Sequence, residues 1–265
     1  MTTDTPAVSI ELADRIAVVR LNRPATMNAV NDELRARLTR VLHELDQGDD
    51  ADAIVLTGAG DRAFCAGQDL GESAAIDTTT LADWLNRQHA MYQAVRDVDK
   101  PIVAALNGTA AGAGFQMALL CDLRVAHARI KMGQPEVKAG LASIVGSYLM
   151  SLQIGHSLNQ QLSLTGELIS GERASQLGLV NDLVAPDQVL PRAIERARAL
   201  ASLPGQALRA TKQRFRERTQ AGFDEACSAG IRYQLECYSN GEPRRVMQAF
   251  LARRDTPKTT QDPQA

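Results

Sequence analysis

The 265-residue sequence has few of the features that usually announce a function. Its four cysteines, Cys65, Cys121, Cys227 and Cys237, form no C-x-x-C pair and stand near no pair of histidines, which argues against structural zinc and fits a reducing compartment. The four histidines, His43, His89, His127 and His156, lack metal-ligand spacing and read as surface or strand positions. No apolar run approaches the roughly 18 residues of a membrane-spanning helix. Residues 1–7 show no basic segment leading into an apolar core, so a cytoplasmic protein that contacts no membrane is expected. A net charge of -2 leaves no broad basic field, which makes nucleic acid an unexpected partner. Arginines crowd residues 192–254, but they alternate with apolar residues at helical spacing, as solvated helix faces do. There is no Gly-x-Ser-x-Gly elbow for serine hydrolysis. The Gly112-Ala113-Gly114 run lacks the third glycine of a dinucleotide-binding fingerprint, whose place is taken by Met117.

What is present is an α/β pattern in a chain with 45% hydrophobic residues, enough to bury one large core. Val8, Ile10 and Leu12 alternate with polar residues, and an extended run follows at residues 16–21, which predicts a hairpin. Asn31 predicts a helix cap, with Asp32 and Glu33 in the first turn and Leu34, Leu38, Val41, Leu42 and Leu45 as the apolar stripe. Buried strands are expected at residues 53–57, 101–106 and 123–128. A helix is expected through Trp84, Leu85, Met91 and Val95, preceded by a small-residue approach at 71–79 that reads as mobile. Helices are further expected from Ser147 and around Ala174, the latter closed by Gly178, with a short strand at 179–184. From Pro186 the pattern is helical, with breaks expected at Pro204-Gly205, Gly222, Gly241 and Pro243. The expected division is an α/β body over residues 1–200 and a helical region over 201–265.

The chemistry concentrates in residues 100–136. A buried strand, a glycine-rich turn and a helix follow one another around Gly112, and the same sequence of features occurs around Gly67. Glycine lets a backbone N–H approach a ligand closely, and a helix start aims unpaired N–H groups and a positive dipole end at the same spot. If the two bends face one another, their amides form a two-donor oxyanion hole. Glu136, in the turn Gly133-Gln134-Pro135-Glu136, is the candidate proton carrier, since partial burial raises a glutamate toward neutral pKa. Any single glutamate or glycine also has a plain structural reading, as surface charge or as packing; the coincidence of the three features gives the chemical reading its weight.

These motifs resemble those of the crotonase superfamily of enoyl-CoA hydratases and isomerases. The resemblance is carried by Phe64-Cys65-Ala66-Gly67-Gln68-Asp69-Leu70, by residues 107–122 with their Asn-Gly, Gly-x-Gly and Cys-Asp elements, by residues 133–140, and by Leu164-Thr165-Gly166 with residues 174–180. Asn22-Arg23-Pro24 and the ending at 250–254 fit as well. It implies a crotonase-like spiral of ββα repeats with a C-terminal helical trimerisation region, assembled as a homotrimer or a dimer of trimers. It implies an acyl-CoA thioester substrate, no cofactor beyond that coenzyme A, and a thioester oxygen held by the backbone N–H groups of Gln68 and Ala113. Glu136 would be the acid/base, with Gln116 in the place where family hydratases carry a second glutamate. Coenzyme A or substrate contacts are implied at Ala25, Met27, Ala66, Asp69, Leu70, Gly112, Ser143, Ile144 and Arg253.

The sequence also departs from the family pattern. An amide at Gln116 orients water or a substrate oxygen but does not act as a carboxylate base. The loop at 141–146 lacks the usual Ile-Pro and Gly-Gly, and Gly71 replaces a lysine that often follows the Asp-Leu pair. Trp84, Met91, Gln116, Ser143 and Ile144 are candidates for the acyl pocket. Hydration, isomerisation and retro-aldol chemistry through an enolate all remain open, beside an acyl-CoA-binding homologue with little or no turnover.

Overall fold

The computed structural model of the chain describes residues 6–255. The order of elements is β1 (Val8–Ala13), β2 (Ile16–Leu21), α1 (Asp32–Gln47), β3 (Ala53–Gly58), β4 (Ala63–Cys65), α2 (Leu70–Ala75), α3 (Leu81–Asp97), β5 (Ile102–Leu106), β6 (Thr109–Ala111) and α4 (Ala113–Leu120). There follow β7 (Leu123–His127), β8 (Lys131–Gly133), α5 (Val145–Ser151), α6 (His156–Thr165), β9 (Leu168–Ser170), α7 (Gly171–Gln176), β10 (Asp182–Val184), α8 (Val189–Ala201), α9 (Gly205–Ser239) and α10 (Glu242–Asp255).

A six-stranded sheet runs β1-β2-β3-β5-β7-β10, and a four-stranded sheet runs β4-β6-β8-β9. The first sheet is parallel except for the β1–β2 hairpin. The second is parallel from β4 to β8 and antiparallel at β9. The chain therefore climbs as a spiral: β3, β5 and β7 each add a strand to the large sheet, and β4, β6 and β8 each add the next strand to the small one before the chain turns away. The composition of the strands follows from this placement. Ala-Ile-Val-Leu in β3 and Ile-Val-Ala-Ala-Leu in β5 are buried on both faces, as near-continuous apolar strands of a covered parallel sheet must be. β1, at the edge, is exposed over most of its length.

Helix α1 begins where Asn31 Oδ1 accepts from the Leu34 N–H at 3.0 Å, and its apolar stripe is buried along its length. Helix α4 is apolar apart from Gln116 and is packed on nearly every side, with only Leu120 partly open. Its C-terminal end is held by Arg124, a buried guanidinium that donates to the carbonyls of Cys121 at 2.9 Å and Leu179 at 2.7 Å. Helix α8 covers the other face of the large sheet, where Val189, Ala193 and Ala197 meet Val55, Val103 and Val125.

Two expectations need correction. Helix α9 runs unbroken through Gly222. That glycine is a packing position: a Cβ there would lie 2.7 Å from the Tyr148 ring and hydroxyl, which donates to Thr219 O at 2.7 Å. The approach at 71–79 contains α2, capped by Asp69, whose carboxylate accepts from the Gly71 and Glu72 N–H groups at 3.0 and 3.3 Å. The Leu164-Thr165-Gly166 segment ends α6, with Gly166 as a left-handed cap, and the chain passes through β9 before α7. Among the described residues, no helix is long and apolar enough to cross a membrane, and no cluster of histidine, cysteine and acidic side chains could hold a metal.

Candidate active site

Strands β4 and β6 lie side by side, with Cys65 opposite Ala110, so the bends that follow them emerge together. Gly67 (φ +111) and Gly112 (φ +51) both take backbone conformations that side chains oppose. A Cβ at Gly112 would sit 3.8 Å from Gly67 Cα, and one at Gly67 would sit 3.9 Å from Ala113 N. Behind them a Cβ at Gly114 would come within 2.2 Å of Cys65 O, so α4 can press against β4 only with glycine at that place. The first bend is pinned to the chain before α1: Val30 N–H donates to Gly67 O (2.8 Å), Asp69 N–H to Val30 O (2.9 Å) and Ala66 N–H to Met27 O (3.0 Å). The amides between these anchors are left over. Gln68 N–H and Ala113 N–H donate to no protein acceptor among the described residues, and both residues line one cavity of about 90 Å³. That is several times the roughly 10–15 Å³ a single water needs.

Glu136 lies at the same cavity, delivered by the turn after β8. The Gly112 N–H donates to Gly133 O at 2.9 Å, which ties that turn to the second bend. A Cβ at Gly112 would be 3.2 Å from Glu136 Oε1, so glycine here also makes room for the carboxylate. Gln116, one turn into α4, donates from Nε2 to Glu136 Oε1 at 3.1 Å and to Gln134 Oε1 at 3.1 Å. The Gln134 amide is fully buried, and its outer atom lies 2.6 and 2.8 Å from the two oxygens of Glu136. With nitrogen outward it donates to the charged carboxylate and gives up the bond from Gln116 Nε2; with oxygen outward it accepts from Gln116 and from the protonated acid. Gln134 thus meets the protonated acid with its bond to Gln116 intact, and meets the carboxylate only by turning its amide over. Burial pushes the Glu136 carboxyl up to about 7, and the Gln116 hydrogen bond only partly opposes that shift.

The opposite side of the cavity is made by helices. Helix α3 contributes Trp84, Gln88, His89 and Tyr92, and α9 contributes Gly230, Gln234 and Tyr238. Gln234 is fixed by a reciprocal pair of bonds to the backbone of Ala142, at 3.3 and 2.8 Å. The region beyond residue 200 thus forms part of the cavity wall within the same chain.

The structure brings Gln68, Ala113, Gln116, Glu136, Trp84 and Ile144 to the cavity. It does not bring Met91, which is fully buried in the core, or Ser143, whose hydroxyl is sealed in the protein without a partner among the described residues. Ala25 is exposed on a 3-10 turn and Met27 follows it in a left-handed conformation. Ala66, Asp69 and Leu70 lie along the first bend and the start of α2 rather than in the cavity lining, and Asp69 is paired with Arg23 at 3.0 Å. Arg253 falls in α10, and its side chain lies outside the described residues. His89 is neither a surface nor a strand position: it is half-buried on α3, where burial pushes its imidazole down to about 4 and keeps it neutral.

Sequence reasoning missed Gln134, Gln88 and Arg35. Arg35 is 2% exposed and donates to Gln68 Oε1 (3.3 Å), Glu72 Oε1 (3.2 Å) and Gln88 Oε1 (3.1 Å), while Trp84 Nε1 also donates to Glu72. One buried cation so ties the first bend to helix α3. The sequence signal for it is faint: an arginine next to Leu34 at the edge of an apolar stripe.

The sequence profile described as enoyl-CoA hydratase/isomerase matches residues 11–261. The chain belongs to the enoyl-CoA hydratase/isomerase family. Among its relatives, the (E)-benzylidenesuccinyl-CoA hydratase of Thauera aromatica is 37% identical over 207 residues, covering 78% of this chain and 80% of that protein. The short-chain-enoyl-CoA hydratase of Clostridium acetobutylicum is 31% identical over 248 residues, covering 93% and 95%. An enoyl-CoA hydratase/isomerase from Mycobacterium paratuberculosis superposes with a TM-score of 0.85 at 28% identity, covering 92% of this chain and 98% of that one. The spiral of paired strands and helices is the crotonase fold of this family, as the sequence motifs implied.

Proposed function

We propose that the chain binds an acyl-CoA thioester with its thioester oxygen between the N–H groups of Gln68 and Ala113, and that Glu136 moves a proton at the adjacent carbon, C2. The observation that carries this reading is the meeting of two unpartnered backbone donors and one buried carboxyl at a single cavity. Removal of a C2 proton places the electron pair on the thioester oxygen, where two fixed donors are worth most in a dry site. A carboxyl near 7 both accepts and returns a proton at physiological pH.

A single carboxylate supports isomerisation directly. Glu136 takes the C2 proton of a 3-enoyl thioester, the enolate forms on the oxygen, and the same proton returns at C4 to leave a 2-enoyl thioester. Hydration is the second reading, favoured by Gln116, whose amide beside Glu136 can hold a water for addition. The test is turnover of trans-3-hexenoyl-CoA and trans-2-hexenoyl-CoA by wild type, Glu136→Gln and Gln116→Glu. Loss of activity in the first variant and a gain in hydration in the second are expected. Undiminished activity without the Glu136 carboxylate would remove its role. Tight thioester binding with no product from either substrate would favour a binding homologue.

A further inference from the structure

The most unusual polar group of the cavity takes no part in the chemistry above. Gln88, on α3, is 2% exposed and lines the cavity. Its Oε1 accepts from Arg35 Nε at 3.1 Å, and because that guanidinium only donates, the bond fixes which way the amide faces. Nε2 is left with no acceptor at hydrogen-bonding geometry among the described residues. The Tyr92 hydroxyl, one turn along α3, interacts with the Gln88 amide, which offsets part of the upward push that burial gives the phenol. One hydroxyl oxygen takes at most one of the two N–H groups, so the amide keeps a donor to spare. A buried donor without an acceptor carries its whole desolvation penalty and is uncommon in folded proteins. Its position, held from behind by an ion-paired arginine and open toward a ligand cavity, is that of a donor awaiting a ligand atom.

We propose that Gln88 Nε2 is the recognition donor of a subsite for an uncharged oxygen, a carbonyl, hydroxyl or ether, carried by the acyl group beyond its thioester. This rests on the reading that the cavity holds the acyl part of a thioester. Leu81, Leu85 and Leu141 stand around Trp84 on this side, so most of the acyl body meets hydrocarbon, and Gln88 is the polar side chain there whose donor is left unmet. A carboxylate is disfavoured there. Among the described residues no lysine or arginine lines the cavity, the Arg35 guanidinium behind it is already paired with Asp32 and Glu72, and His89 is held neutral by burial, so an ionised terminus would be buried without a counter-ion of its own. A site built to bond a substrate oxygen discriminates against the analogue that lacks it, because its own polar group is then left unmet.

The experiment measures dissociation constants for two matched pairs, pentanoyl-CoA with 4-oxopentanoyl-CoA and hexanoyl-CoA with 5-oxohexanoyl-CoA, with glutaryl-CoA as the charged probe. In the wild type at least one oxo thioester is expected to bind about tenfold tighter than its plain partner, a difference of about 1.4 kcal/mol. Glutaryl-CoA is expected to bind no better than pentanoyl-CoA. Gln88→Leu is expected to abolish the preference. Gln88→Glu keeps the acceptor that Arg35 uses and removes the N–H donors, so it separates lost recognition from lost folding; it should reverse the preference. Equal binding within both pairs, a preference that survives both variants, or a preference for glutaryl-CoA overturns the subsite. If no thioester binds at all, the acyl-CoA reading fails and the subsite with it, whereas equal binding removes the subsite alone.

Discussion

The two walls of the cavity are built from different material. One is backbone: the bends at Gly67 and Gly112, held by strand pairing and by hydrogen bonds of 2.8 to 3.0 Å, the first to the segment before α1 and the second to Gly133. The other is side chain: Trp84, Gln88, His89 and Tyr92 from α3 against Gly230, Gln234 and Tyr238 from α9. A backbone wall presents the same donors whatever the sequence, provided that glycine stands where the chain bends tightly. A side-chain wall is rewritten by any substitution. The difference teaches where reaction and specificity reside: substitutions on the first wall should change the rate for every substrate, and those on the second should change which substrate is preferred.

The largest expected effect is on the first side. Glu136→Gln should lower kcat by about 10³-fold or more, with acyl-CoA binding retained, as steady-state kinetics and calorimetry would show. Gly112→Ala comes next: it forces a side chain into φ +51 and places a methyl group 3.2 Å from Glu136 Oε1. A loss of about 10²-fold for all thioesters is expected, comparable to removal of one oxyanion donor. A loss confined to long acyl chains would instead blur the distinction between the walls. On the helical side, Leu85→Ala should shift the preference among chain lengths by about tenfold while leaving the best kcat nearly unchanged.

The pH dependence sharpens the same comparison, because Glu136 is the group whose burial costs most on the catalytic wall. Its carboxyl titrates near 7 in the folded chain against an ordinary 4.5. Between those values the folded state holds a proton that the unfolded state has released, so this group's contribution to stability falls as pH rises from about 4.5 to about 7 and stays low above it. Glu136→Gln is therefore expected to raise Tm at pH 8 and to leave it nearly unchanged at pH 4. A proton-abstracting Glu136 should also give kcat/KM rising with pH to a plateau above about 7. The smallest effect lies outside the cavity lining, lower on α9. Gly222→Ala displaces Tyr148 and its bond to Thr219 O, so Tm should fall by a few degrees, roughly 1 kcal/mol, with activity unchanged. In a Tyr148→Ala background the same change should raise Tm, since only helix propensity remains.

The parts legible in the sequence were those with local causes. Asn31 marks α1 because its side chain caps the N–H three residues on, and β3 and β5 read as buried strands because both faces are apolar. The glycine bends and Glu136 stood out because their residue types are demanding. The small sheet was not legible: β4, β6, β8 and β9 are three residues each, too short for any period to show. Gly222 read as a break because propensity is local, while the ring that packs on it is contributed by α5. Gln134 and Arg35 were missed for a related reason. Their importance comes from partners 33 to 53 residues away for Arg35 and, for Gln134, from an amide on α4 that only the fold brings near.

The most direct test of the paired-donor reading is a crystal structure with pentanoyl-CoA bound. The thioester oxygen is expected within about 2.7–3.1 Å of both the Gln68 and Ala113 nitrogens, with C2 facing the Glu136 carboxylate. A thioester oxygen bound away from either nitrogen, or an acyl chain lying outside the cavity between α3 and α9, would contradict it.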